Sequence, residues 1–105
     1  MQTIRMWVPR RQGRADLHFR NPDIKASSIV HISVSEATDT SPGVLGGSGI
    51  QNFKAHFGSA SITLQNVSVN DGVIDFYVFV DFPHPLNVVA DITILDGPPT
   101  IILGT

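Results

Sequence analysis

The stretch from Ser61 to Leu95 most constrains what this chain can fold into. Three apolar runs are cut by Asn70-Asp71-Gly72 and by Pro83-His84-Pro85. Within each run, side chains alternate with a period of two, so successive residues point to opposite faces of a strand. In Val73 to Phe82, one face carries Ile74, Phe76, Val78, Val80 and Phe82, and the other carries Val73, Asp75, Tyr77, Phe79 and Asp81. Leu86 to Leu95 repeats the logic, with Leu86, Val88, Ala90, Ile92 and Ile94 on the apolar face. β-Branched and aromatic enrichment argues against a helix. Ser61 to Val69 changes phase partway, which predicts a bulge near Gln65-Asn66. Asn70-Asp71-Gly72 predicts a hairpin turn with Gly72 at positive φ. The two prolines of the second connector lack backbone donors and make it stiff.

The rest of the chain follows the same pattern. Thr3 to Val8 is a strand that Pro9 is expected to stop. Ala15 to Phe19 is a second strand, and Ser28 to Glu36 a third. Ala37 to Gln51 reads as loop, with Pro42 and Gly43, Gly46, Gly47 and Gly49. Asn52 to Gly58 is a short alternating piece, and the apolar tail Thr100 to Leu103 is an edge strand or a subunit contact. Six to eight short strands with regular turn signals predict an all-β fold, a small antiparallel β-sandwich. At 105 residues, one domain spanning 1–105 is expected.

Composition bears on function mainly by exclusion. The chain has no cysteine, so disulfides and cysteine metal sites are excluded. The first residues lack the apolar core of a signal peptide, and no apolar run approaches the ~20 residues of a spanning helix. Charged residues make up 15%, against a usual ~25%. So few charges on a small domain point to surface covered by self-association. Residues 1–25 hold six basic residues against two acids, whereas residues 26–105 hold Lys54 against seven acids. A basic arm of this kind can bind nucleic acid or phosphate. The scattered spacing of its arginines favours instead an arm lying against the acidic body of its own or a neighbouring subunit, so nucleic acid is not the expected partner.

Few residues suggest chemistry. The glycine-rich segment has no following Lys-Ser/Thr and does not match a phosphate cradle. His18, His31, His56 and His84 form no metal-binding spacing, although His31 and His56 could meet across strands. Asp75, Asp81 and Asp91 fall on the non-core face of strands expected to be neighbours. They suit a solvated face better than a catalytic pair. No nucleophile-elbow pattern is present. The expectation is a protein that is not an enzyme and that uses no cofactor or metal. Phe82-Pro83-His84-Pro85 is the most suggestive piece, because a ring beside an imidazole suits the apolar face and hydroxyl rim of a sugar. The alternative is a stiff turn whose Phe82 belongs to the core.

Four pieces, in order, resemble the H-type lectin family. They are Trp7-Val8-Pro9; His18 to Pro22 followed by Ile29 to Val34; Val67-Ser68-Val69 through Gly72 and Phe76; and Asp91 to Ile94. The resemblance implies an antiparallel sandwich assembled as a homotrimer or hexamer, with carbohydrate sites at subunit boundaries. It places the family's aromatic–His pair on Phe82 and His84, with Phe standing for the family's Trp, and its strand Arg near Leu64 or Gln65. Asp81, Phe82, His84 and Gln65 are thus the expected carbohydrate-binding residues. The competing expectation is a structural or assembly protein, such as a virion or appendage component, in which Tyr77, Phe79, Val89 and Leu95 are subunit contacts and no ligand exists.

Overall fold

The structure is a computed structural model and describes residues 1–39 and 53–104. Seven strands follow one another: β1 (Gln2–Arg11), β2 (Gly13–Arg20), β3 (Val30–Asp39), β4 (Phe53–His56), β5 (Ser61–Asn70), β6 (Val73–Asp81) and β7 (Leu86–Ile94). They form two antiparallel sheets, ordered β1-β7-β3-β4 and β2-β6-β5. No helix occurs among the described residues. The glycine-rich segment 42–51 lies outside them.

The two sheets bury their apolar faces against each other. On β6, Ile74, Phe76, Val78 and Val80 are each at most 3% exposed. On β7, Val88, Ala90 and Ile92 face them from the other sheet, with Ala15 and Leu17 of β2 in the same core. The apolar faces read from the sequence are therefore the core faces. β5 and β6 form the expected hairpin, with Gly72 at φ 82° in the loop. The register slips between Leu64 and Asn66, so Gln65 is the extra residue of the expected bulge. The connector Phe82 to Pro85 is not a hairpin; it carries the chain from the three-stranded sheet to the four-stranded one.

Two expectations fail for identifiable reasons. β1 runs through Pro9 to Arg11 instead of stopping. It is an edge strand, where a missing N–H costs no ladder bond, and the register shift between Val8 and Arg11 absorbs the ring. β3 continues past Glu36 to Asp39, because residues 36–39 pair with β4, a partner far along the sequence. Of the two roles expected for the tail Thr100 to Leu103, the edge strand is not formed.

One end of the sandwich is closed by the β2–β3 loop. Ile24 is completely buried there. Around it, the Gly72 amide donates to the Ile24 carbonyl at 2.8 Å, the Asn21 amide donates to the Gly72 carbonyl at 3.1 Å, and the Ala26 amide donates to Asp71 Oδ1 at 2.8 Å. The hairpin turn and the plug thus hold each other. Ile24→Ala should cost about 2–5 kcal/mol, the usual cost of emptying a filled apolar site. Ile29→Ala in the same loop, 39% exposed, should cost about 1 kcal/mol or less. Urea unfolding of the two variants checks the difference; equal losses would remove the plug role.

Candidate functional site

The outer face of the three-stranded sheet gathers the richest set of exposed side chains. Pairing sets them in three cross-strand rows: Arg14–Phe79–Thr63, Asp16–Tyr77–Asn66 and His18–Asp75–Ser68. The period of two in β2 sends Ala15, Leu17 and Phe19 inward, which leaves Arg14, Asp16 and His18 outward. The same alternation in β6 turns Asp75, Tyr77, Phe79 and Asp81 outward. A shallow depression of about 260 Å³ is lined by Arg14 and by the Asp16–Tyr77–Asn66 and His18–Asp75–Ser68 rows, and Phe79 lies outside it.

Local electrostatics order this face. Arg14 Nε donates to Asp16 Oδ1 at 2.8 Å, and its guanidinium lies 4.0 Å from the centroid of the Tyr77 ring. The hydrogen bond to Asp16, followed by that residue's charge, raises the Arg14 pKa further above its already high value. His18 Nδ1 lies 2.6 Å from Asp75 Oδ1. Phe79 is 41% exposed. The face thus offers one covered ring, one open ring and a surround of hydroxyl, amide, carboxylate and imidazole groups. Such a surface can stack an apolar ligand face while hydrogen-bonding its rim.

The four residues expected to bind carbohydrate do not form one cluster. Asp81 is exposed on the outer face, one alternation beyond Phe79. Gln65 is exposed at the bulge beside Asn66. Asp81 pairs with Ser61, so Gln65 sits roughly 13 Å along β5 from that level. Phe82 is half-buried and packs against the core. His84 is exposed, with its ring edge-on to Phe82 at a centroid distance of 6.1 Å. Phe82 is therefore in part the core residue of the alternative reading.

Other pairings are also corrected. His31 opposes Thr93, whereas His56 opposes Glu36 further along β3, so the two histidines do not meet. Asp75 and Asp91 lie on opposite sheets, hence on opposite outer faces. Asp91 is held by Arg5, Nε to Oδ1 at 2.8 Å and Nη2 to Oδ2 at 2.9 Å. Val89 is 2% exposed and packs with Trp7 and Ala37, so it is not free as a subunit contact. Among the described residues, no group of three or more His, Asp or Glu is placed to hold a metal ion.

Compared with protein-family models, curated proteins and solved structures, the chain matches none. The site itself must carry the functional argument. Its separation from the core is measurable by guanidinium unfolding. Phe76→Ala should cost about 3–5 kcal/mol and the half-buried Phe82→Ala about 2 kcal/mol, whereas Phe79→Ala should cost about 1 kcal/mol or less. A Phe79 variant as unstable as the Phe76 one would make Phe79 a structural residue.

Proposed function

We propose that this protein is a non-enzymatic carbohydrate-binding domain and that the sugar lies on the outer face of the three-stranded sheet. The observation that carries the reading is Phe79 beside Tyr77 on one strand face, with Asp16, His18, Asn66, Ser68 and Asp75 in the adjoining cross-strand positions. A pyranose has an apolar C–H face and a rim of hydroxyls, and this face has complementary groups. Stacking is assigned to Phe79, since the Phe82 ring is partly committed to the core and Arg14 covers Tyr77. Asp81 extends the hydrogen-bonding row and Gln65 borders it at the bulge, while His84 lies beyond its end. The resemblance of the residue order to H-type lectins supports the same class.

A glycan array tests this directly. The chain should bind a defined set of glycans, and Phe79→Ala should weaken that binding at least about tenfold, which is ~1.4 kcal/mol. Wild-type binding by both Phe79→Ala and Tyr77→Ala would show the site to be elsewhere.

Self-association belongs to the same proposal and has its own observation. Ile101, Ile102 and Leu103 are 89%, 81% and 91% exposed. Three consecutive large aliphatic side chains in water are an interaction surface or a liability. The proposed partner is another copy of the chain, as a trimer or hexamer, and this feature equally favours the second reading of an assembly component without a ligand. Deleting residues 100–105 should reduce the mass in solution to that of a monomer. A full-length chain that is already monomeric would remove the oligomer from the proposal.

A further inference from the structure

At the end of the sandwich opposite Ile24, β1 turns into β2 through Pro9 to Gly13. Arg10 stands there at φ 53°, in the left-handed region that residues with a Cβ seldom adopt. Two contacts hold the corner in this shape. The Arg10 amide donates to Asn87 Oδ1 at 3.1 Å, and Gln12 Nε2 donates to the Phe82 carbonyl at 3.2 Å. The corner and the Phe82 to Pro85 connector are therefore one unit, which also carries the exposed His84. Gly13, with φ 68°, then leads straight into β2.

The charges at this corner are unbalanced. Arg5 and Arg14 each have a carboxylate at 2.8 Å. Among the described residues, neither Arg10 nor Arg11 has an ion-pair partner. The Arg11 guanidinium turns back to the Pro9 carbonyl at 2.8 Å, and Arg10 is exposed. Asp81, at the end of β6, makes no ion pair with either. In a chain of net charge −2, two consecutive arginines thus stand at a strained corner without an ion-pair partner among the described residues. That corner is continuous with the proposed sugar platform, since Gly13 pairs with Val80 and Arg14 with Phe79.

We infer that Arg10 and Arg11 bind the carboxylate or sulfate group of an acidic saccharide whose rings rest on the Phe79 face. The inference rests on the carbohydrate reading and narrows it to anionic sugars. Guanidinium groups suit both anions, because their planar N–H fork matches paired oxygens. Backbone strain that persists at an exposed arginine is consistent with a position kept for its side chain.

The test compares neutral, carboxylated and sulfated glycans, with a single-stranded DNA oligonucleotide as a further probe. The variants are Arg10→Gly and Arg10→Gly with Arg11→Ala. Glycine suits φ 53°, so Arg10→Gly should fold as well as the parent chain. The expected result is a preference for acidic glycans that falls about tenfold or more in the double variant and with added salt, while neutral glycans bind unchanged. Carboxylated and sulfated members of the array show which anion is preferred. Neutral glycans bound without an acidic preference, or a double variant that binds acidic glycans like the parent, would overturn the inference and leave the carbohydrate reading standing. Binding to no glycan would overturn both. Salt-sensitive DNA binding lost in the double variant, without glycan binding, would replace the acidic sugar with nucleic acid.

Discussion

The structure depends on β6 and β7 facing each other from different sheets. Both strands carry an uninterrupted apolar face, and neither face can be left in water. A hairpin would place the two faces side by side and still exposed. Pro83 and Pro85 each lack an amide donor, which works against a tight hydrogen-bonded turn. The chain crosses over instead, so Ile74, Phe76, Val78 and Val80 meet Val88, Ala90 and Ile92 across the interior. β2 and β5 then flank β6, and β1 and β3 flank β7. Ile24 fills the one end where the β5–β6 turn would leave the layers open, and the backbone hydrogen bonds to Gly72 close it.

Much of this was legible because period two is a local property. The strand faces, the Gly72 turn and the phase change at Gln65 follow from neighbouring residues. What stayed hidden depended on partners distant in sequence. Pro9 is a stop signal in a central strand and harmless on an edge, and the sequence does not say that β1 is an edge. Thr38 and Asp39 read as loop by composition, yet β4 pairs with them. The site was hidden for the same reason. Arg14, Asp16 and His18 alternate visibly, and so do Asp75, Tyr77 and Phe79. Only the β2–β6 pairing shows that the two sets share one surface. Phe82 is conspicuous in the sequence through its Pro-His-Pro neighbours, whereas Phe79, three residues earlier and on the opposite face, is the more open of the two rings.

The two outer faces differ in a way that supports this assignment. On the four-stranded sheet, Trp7 packs with Val89 and Ala37, and Asp91 has both oxygens engaged by Arg5. On the three-stranded sheet, Phe79 remains 41% exposed and sits among polar groups on β2 and β5. An exposed ring in a polar sheet face stabilises the fold little, since its burial is incomplete. Under the proposed function, its use is to lie against an apolar ligand face from outside.

Strain and charge then point to the same end of the molecule. A chain of this composition could have turned from β1 to β2 with a glycine at position 10, as it does at position 13. It uses an arginine, with a second one following, and anchors the backbone through Asn87. Neither guanidinium forms an ion pair among the described residues, as is also true of Arg20, whereas Arg5 and Arg14 are paired with Asp91 and Asp16. A fold-stabilising role would favour the relaxed residue or a paired charge. An anion supplied from outside accounts for both departures with one contact. The corner leads along the backbone through Gly13 to Arg14, the cross-strand neighbour of Phe79.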